Sequence, residues 1–194
     1  VHYSTDTSDC GPIVAAHPDW EQKMANGQHW QTTIYGDFHW IDPGHPEVSQ
    51  FLVDLFGEMA TNYPELDAIE TDRIRYPSQE FSYNEVARQR YMDETGNSDP
   101  IDYLKGDKQW PDWFKWREQQ TTNLARRIYQ KVKSINPAML VESAVGPPYM
   151  LVNHTKMQNW QVWADSGYVD ALEPMIYVND ADLSNQISMA QYYV

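Results

Sequence analysis

The sequence predicts an α/β fold in which the strands of a parallel sheet alternate with helices. Three short apolar stretches near residues 66–72, 139–145 and 169–177 have the character of strands, and helical periodicity separates them. This alternating order favours parallel pairing through right-handed crossover connections. We therefore expect the three strands to be parallel neighbours, with helices packed outside them.

The most regular helix is predicted near residues 46–62. The stretch Asp42-Pro43-Gly44-His45-Pro46-Glu47 supplies turn residues, a proline suited to the first helical turn and an early glutamate. Apolar residues then recur on one side at Val48, Phe51, Leu52, Leu55, Phe56 and Met59. This spacing predicts an amphipathic helix whose apolar side packs against the sheet.

Further helices are predicted near residues 84–95, 112–135, 155–166 and 183–193. Gly96 and Gly167 end the first and third of them, and Asn136-Pro137 ends the second. Residues 1–40 are interpreted as long loops, apart from the tail of a strand at Val1-His2-Tyr3.

The helices and strands follow the order of a (β/α)8 barrel, which needs about 250 residues. Because this chain has 194 residues, we expect residues 1–194 to be the central part of a single TIM-barrel domain, roughly its third to sixth βα units. A start at Val1 predicts a processed or partial product. Expressed alone, such a segment would leave hydrophobic strand edges open, so we expect it not to fold independently.

Composition limits the classes of partner. The formal net charge is −14 and no basic run is present, so we expect no nucleic-acid partner. No apolar run approaches the roughly 20 residues of a membrane span, so membrane insertion is not expected for this segment. The single cysteine excludes an internal disulfide. The six histidines lack HExxH-type spacing, and we expect neither a metal nor another cofactor.

Aromatic residues are unusually frequent, with 8 Trp and 13 Tyr. Core packing explains any single ring better than ligand binding does, but the surplus favours a carbohydrate cleft in which rings stack on sugars. Trp40 is one of several aromatic residues in or beside predicted loops that could serve in this way.

The stretch from Leu66 to Pro77 reads as a buried strand that ends in carboxylates, arginines and a proline. Period two places Glu70 and Asp72 on one face, and parallel α/β sheets keep their working residues at the carboxyl ends of strands. Glu142 and Glu173 lie on plausible inward faces of the other two strands. Asp72, Glu142 and Glu173 are therefore the candidate catalytic residues, because carboxyl groups that converge at one site can serve as acid and base.

Each candidate also has a structural interpretation. Asp72 could pair with Arg73 or Arg75, and Glu70 could form a deep ion pair. Glu142 and Glu173 could each neutralise an arginine or face the helix layer. Asp42 is more often a helix cap than a ligand contact at such a position.

Two long blocks resemble the bacterial glycosyl-hydrolase-like 10 family. Residues 40–48, WIDPGHPEV, are similar to its LDPGHPEVR block, and residues 67–77, DAIETDRIRYP, match its DGIHLDRIRYP block. Weaker similarities occur at residues 17–20, 113–117 and 169–177. Glu70 stands where the family often has histidine, and Glu173-Pro174-Met175 stands where a Pro-Gln pair is frequent.

The resemblance implies a TIM barrel, an exported protein in the extracellular or periplasmic space, and hydrolysis of glycosidic bonds. Peptidoglycan glycan strands are one substrate class that it implies. The matched positions are Asp72, Arg75 and Tyr76 after the fourth barrel strand and Tyr177 after the sixth. Together with the residues themselves, it predicts a set of substrate-binding residues: Glu70, Arg75, Tyr76, Trp40, Asp42 and Tyr177.

The leading hypothesis is therefore a bacterial glycosidase, with Asp72 as nucleophile or electrostatic stabiliser and Glu142 or Glu173 as acid/base. A barrel that binds glycans without cleaving them is the main alternative. An enzyme of another chemistry on the same fold is a third, because fold alone does not fix the reaction.

Overall fold

The fold is mixed α/β in the computed structural model, which describes residues 1–105, 110–152 and 155–192. The strands of the described residues are β1 (His2–Ser4), β2 (Gln31–Thr33), β3 (Gly36–His39), β4 (Ala68–Thr71), β5 (Leu140–Val145) and β6 (Ala171–Pro174). The helices are α1 (Gly11–Ala16), α2 (Pro46–Asn62), α3 (Glu85–Thr95), α4 (Trp110–Ile135), α5 (Pro148–Val152), α6 (Trp160–Asp165) and α7 (Asp180–Tyr192), with a 3-10 helix at Pro100–Lys105.

The chain divides into two compact units. The first unit comprises residues 1–49 and 76–117, and the second comprises residues 50–75 and 118–194. Among the described residues, no helix is both long and apolar enough to cross a membrane.

The second unit contains a parallel sheet with the strand order β4-β5-β6. Ile69 lies opposite Val141 in the first pair, and Ser143 lies opposite Leu172 in the second. The prediction of three parallel, adjacent strands is therefore confirmed. The third strand is shorter than predicted, because the chain turns after Pro174 and the amide of Ile176 donates to the Pro174 carbonyl at 2.9 Å.

The core of the second unit lies on one face of this sheet. Ile69, Val141 and Val145 pack there with residues from the helices: Val53, Ala60, Leu124, Ile128, Val132, Trp160 and Trp163. Helix α2 has the predicted bounds, and its partly buried Leu52, Phe56 and Met59 pack against the same core. Leu55 is 40% exposed, so it lies outside the buried stripe to which its spacing assigned it.

The predicted helix at 155–166 starts later, as α6 at Trp160. Met157 has a φ of 45°, which no right-handed helix contains, and the side chain of Asn159 caps the helix by accepting from the Val162 amide at 3.3 Å. Helix α3 agrees with its prediction: Asn84 caps its start, and Gly96 ends it at a φ of 71°.

The first unit contains an antiparallel sheet with the order β1-β3-β2. The expectation that residues 1–40 are long loops was therefore wrong, whereas the strand predicted at residues 1–3 is present as β1, which pairs with β3. Strands β2 and β3 form a hairpin closed through Gly36, whose φ is 141°. These strands are only three and four residues long and largely polar, which hides their periodicity.

A cluster of aromatic rings forms the main core of the first unit. Tyr83, Tyr91, Trp113 and Trp116 pack against one another, and the rings of Trp113 and Trp116 stack with centroids 5.2 Å apart. These rings therefore stabilise the fold, as core packing predicts for most aromatic residues.

Candidate active site

Three glutamates lie on the face of the parallel sheet opposite its core. Glu70 on β4 is directly opposite Glu142 on β5. Glu173 on β6 is opposite Ala144, which shares the face of Glu142 because side chains alternate along a strand. The register therefore brings Glu70, Glu142 and Glu173 to one surface near the carboxyl ends of the strands.

A cleft of about 440 Å³ opens at this edge of the sheet. Glu70, Asp72 and Glu173 line it together with Tyr177, whose side chain is 88% exposed. The remaining lining residues are Ala144, Pro174, Met175 and Ile176. Glu142 is not part of this lining, although its charge reaches Glu70. The cleft thus combines three carboxyl groups with an exposed phenol.

The carboxyl group of Glu70 holds its proton more tightly than an ordinary glutamate. Its pKa is raised from 4.5, first by partial loss of hydration and then by the charges of Glu173, Asp72 and Glu142. A hydrogen bond that protonated Glu70 donates to the Glu173 side chain raises the pKa of Glu70 further. Like charges that converge on one site commonly leave one carboxyl protonated at higher pH, because both cannot ionise without repulsion. Glu70 and Glu173 form such a pair.

Asp72 lies one residue beyond β4, where the chain turns. Its side chain is 51% exposed, and its Oδ2 lies 3.5 Å from Nε of Arg73. Arg73 has a φ of 62°, and its carbonyl accepts a hydrogen bond from the Arg75 amide at 2.7 Å. This tight turn directs the Asp72 carboxylate into the cleft.

Arg75 and Tyr177 also line a second cleft, of about 180 Å³, with Pro147, Tyr149, Met150, Met175 and Val178. Partial burial lowers the pKa of Arg75, while the charge of Asp72 and the phenol of Tyr177 act in the opposite direction. Lys156, which the sequence did not single out, has its pKa lowered by burial and by the charge of Arg75. Arg75, after β4, and Lys156, after α5, therefore form a small positive region.

Asp42 and Tyr76 belong to a buried network of the first unit. Asp42 Oδ1 accepts from the Gly44 amide at 2.7 Å and from the Tyr76 hydroxyl at 3.2 Å. Its Oδ2 accepts from the Ser82 hydroxyl at 2.7 Å and from the Asn84 side-chain amide. Burial raises the pKa of Asp42 against the effect of these donors, and burial also raises that of Tyr76.

Three of the predicted substrate-binding residues therefore lie inside the first unit: Asp42 and Tyr76 are 0% exposed and Trp40 is 5% exposed. In this conformation they have almost no surface to offer a sugar. The bond of Asp42 to the Gly44 amide stabilises the turn before α2, whereas the side chain that accepts from a first-turn amide of this helix is His45, from Glu47 at 3.2 Å.

Arg117 is a buried charge that sequence reasoning missed. Its side chain is 0% exposed, and Nη1 donates to the carbonyl groups of Gln79 and Phe81 at 2.8 and 2.6 Å. Its guanidinium lies 4.9 Å from the ring centroid of Trp113 and 4.8 Å from that of Phe114. Burial lowers its pKa to about 10. Its position in an amphipathic helix gave no sign of this burial.

Two groups of side chains in the described residues have donor atoms close enough for a metal ion. One comprises Glu21, His29 and His39, and the other Asp19, His45 and Glu47. Their irregular spacing along the chain matches no short motif. The donor atoms of each group come together only in the folded chain, so the sequence alone does not reveal either group.

The comparison with protein families decides the relationship. A sequence model of the family described as "Glycosyl hydrolase-like 10" matches residues 2–192. The chain belongs to this family. The resemblance in the two motif blocks is thereby confirmed.

Similar proteins carry hydrolase names. Glycosyl hydrolase DigH of Escherichia coli K12 is 24% identical over 190 residues, covering 90% of this chain and 37% of the relative. DigH of Shigella flexneri gives the same identity and coverage. The chain thus spans 37% of the length of these curated relatives.

A solved structure shares the fold. The glycoside hydrolase domain of PgaB (BpsB) from Bordetella bronchiseptica has a TM-score of 0.63 and 12% sequence identity, covering 79% of this chain and 46% of that chain. At this identity the likeness shows the fold alone, and it agrees with the mixed α/β architecture described above. The family and these relatives support a carbohydrate-related, glycosidase-like role.

The coupling between Glu70 and Glu173 gives the first prediction. In Glu173→Gln the pKa of Glu70 should fall back towards 4.5, because the largest neighbouring charge is removed. A ¹³C NMR titration of glutamate-labelled protein measures this change. Glu65→Gln removes an exposed acid at the opposite end of β4 and should leave the pKa of Glu70 unchanged. An unaltered Glu70 titration in Glu173→Gln would contradict the coupling.

The raised pKa of Glu70 also determines whether the stability of the folded protein rises or falls with pH. The folded protein binds the Glu70 proton more tightly than the unfolded chain does. Its contribution to stability is therefore fully present below the unfolded pKa, and it is lost as pH rises through the raised folded pKa.

Proposed function

We propose that the chain carries the reacting carboxyl groups of a glycoside hydrolase that acts on a poly- or oligosaccharide. The observation that carries this proposal is that Glu70, Glu173 and Asp72 line one cleft, in which partial burial and the neighbouring carboxylates raise the pKa of Glu70. Peptidoglycan glycan strands are the substrate class that we propose, from the family relationship. An extracellular or periplasmic location follows from the same relationship.

The chemistry requires one protonated carboxyl group and one ionised carboxylate on the two sides of a glycosidic bond. Glu70, whose pKa is raised, supplies the acid that protonates the leaving oxygen, and Glu173 is the neighbouring carboxyl group that favours its protonated form. Asp72, a half-exposed carboxylate beside Arg73, supplies the nucleophile or the charge that stabilises the oxocarbenium-like transition state. This assignment adds Glu70 to the catalytic candidates and keeps Glu173 as its partner.

The neighbouring residues support these roles without taking part in bond cleavage. The charge of Glu142 helps to keep the proton on Glu70. Arg75 interacts electrostatically with Asp72, and the exposed ring of Tyr177 offers a surface on which a sugar can stack. Arg75 and Tyr177 are therefore our proposed substrate-binding residues.

We further propose that β4, β5 and β6 are consecutive strands of a (β/α)8 barrel, within the third to sixth βα units. Their parallel order, their helix-covered outer face and their acid-bearing inner face support this arrangement. The carboxyl groups would then lie at the C-terminal mouth of the barrel, where such enzymes carry their active sites.

Cleavage of purified peptidoglycan glycan strands by the full-length protein tests the proposal. Wild-type protein should generate new reducing ends, resolved by chromatography and mass spectrometry. Glu70→Gln should lower this rate by about 100- to 10,000-fold, because general acid catalysis contributes on that scale. The rate of the wild-type enzyme should fall as pH rises through the raised pKa of Glu70.

Glu65→Gln is the matched control, since it makes the same chemical change outside the cleft. It should retain the wild-type rate. Glycan strands that bind to the wild-type protein but yield no reducing ends would favour the alternative, a catalytically silent carbohydrate-binding protein.

A further inference from the structure

Glu21, His29 and His39 converge on one point in the first unit. Nδ1 of His39 lies 2.5 Å from Oε1 of Glu21, and Nδ1 of His29 lies 2.8 Å from Oε2. The side chains of His39 and Glu21 are 0% and 6% exposed, whereas that of His29 is 38% exposed. Two imidazole nitrogens therefore face the two oxygens of one nearly buried carboxylate.

The antiparallel hairpin and the segment before it hold these residues in place. Glu21 forms a bridge with Ile41, directly beyond β3, and His39 is the last residue of β3 itself. His29 follows a tight loop that closes where the Met24 amide donates to the Gln28 carbonyl at 2.7 Å. Backbone pairing fixes the positions of Glu21 and His39. The loop places His29 beside them on the side that faces solvent.

The nearly buried carboxylate of Glu21 carries a negative charge that needs a positive partner. Buried carboxylates in proteins are normally paired with a positive group or bound to a metal. Within the described ranges, the ion-pair contacts of Glu21 are with the two histidines alone. His39 Nε2 is also buried, and it has no hydrogen-bond partner within the described part of the chain. Glu21 and its two imidazole neighbours therefore form a nearly buried group of donor atoms at which a metal ion can supply the positive charge.

We propose that Glu21, His29 and His39 bind a zinc ion. Two imidazoles and one carboxylate form a ligand set that zinc favours when it keeps its fourth position open. Zinc ligands at bond lengths of about 2.0–2.1 Å lie roughly 3.3 Å apart in a tetrahedron. The three donor atoms here lie within 4.8 Å of one another, and the Glu21 oxygens, at 2.5 and 2.8 Å from the imidazole nitrogens, would move apart from them by roughly 0.5–0.8 Å to accept the ion. The exposed side of His29 provides the path of entry.

The second group, Asp19, His45 and Glu47, is less suited to a metal. The Asp19 side chain is 60% exposed. Nδ1 of His45 already accepts a hydrogen bond from the Glu47 amide at 3.2 Å, and Oε2 of Glu47 accepts one from Trp20 at 3.1 Å. The donor atoms of this second group therefore either accept hydrogen bonds already or are exposed to water.

Calorimetric titration of the metal-stripped, full-length protein with zinc chloride tests the proposal. Wild-type protein should bind at least one equivalent of zinc, and His29→Ala and Glu21→Gln should each bind one equivalent fewer. Cobalt(II) in place of zinc should give the visible absorption of a tetrahedral site, and His29→Ala should lose it. Zinc should also raise the Tm of the wild type more than that of His29→Ala.

His17→Ala is the matched control, because His17 is an exposed histidine of the same unit that stacks on Trp20 at a centroid distance of 4.1 Å. It should retain the wild-type zinc stoichiometry. Because His29 is partly exposed, its removal should leave the circular dichroism spectrum unchanged, which keeps the test independent of folding. Equal zinc stoichiometry in wild type and His29→Ala, or no zinc binding to either, would overturn the proposal.

Discussion

Replacing Asp72 with asparagine should lower kcat for glycan cleavage at least about a thousandfold, with KM close to that of the wild type. The carboxylate acts on positive charge that develops only in the transition state, so its loss appears in kcat. Asparagine has nearly the same shape, and the contact of Asp72 with Arg73 is long and half exposed. Such contacts contribute roughly 1 kcal/mol or less to stability, so Tm should change little.

Measurement of kcat, KM and Tm on the same full-length variant separates catalysis from structure. Glu65→Gln provides the comparison for an exposed acid of the same unit, outside the cleft. If Asp72 serves only as an exposed ion-pair partner, Asp72→Asn will leave turnover near that of the wild type. That result would remove Asp72 from the catalytic residues.

Replacing Asp42 with alanine should lower the free energy of unfolding by about 3–5 kcal/mol. The change leaves four donors without their acceptor: the Gly44 amide, the Tyr76 and Ser82 hydroxyls and the Asn84 side-chain amide. Tyr76 and Ser82 are fully buried, so water cannot replace the lost oxygen atoms. Asn84 also caps α3 through the Ala87 amide, and its orientation depends on Asp42.

Urea unfolding monitored by tryptophan fluorescence measures this loss. Asp19→Ala is the control, since its side chain is 60% exposed and lies 3.4 Å from Nε2 of His45. It should cost less than about 1 kcal/mol. An Asp42→Ala variant as stable as Asp19→Ala would show that the network contributes little.

The helices and the parallel sheet were predictable because long periodic segments determine them. Helix α2 has a proline near its start and an apolar stripe, and its bounds agree with the prediction. The β2–β3 hairpin was missed because its strands are too short and polar to show a period of two. The start of α6 was misplaced because the left-handed conformation of Met157 has no signature in the residue itself.

The residues of the candidate site were likewise predictable only in part. Period two along single strands was enough to place Glu70, Glu142 and Glu173 on one face, because parallel register carries the alternation from strand to strand. The burial of Asp42 depends on Ser82 and Asn84, about forty residues away, and no local pattern connects them. The convergence of Glu21, His29 and His39 likewise depends on tertiary structure.

The backbone at Arg73 has a consequence for protein engineering. Its φ of 62° lies where residues with a side chain are disfavoured, at a cost of about 1–2 kcal/mol. A screen for thermostability would therefore reward glycine at this position, since glycine adopts the same conformation without that cost. The same substitution would loosen the turn that aims Asp72 into the cleft. Selection for stability alone would then raise the melting temperature by a few degrees while the Asp72 carboxylate lost its fixed orientation.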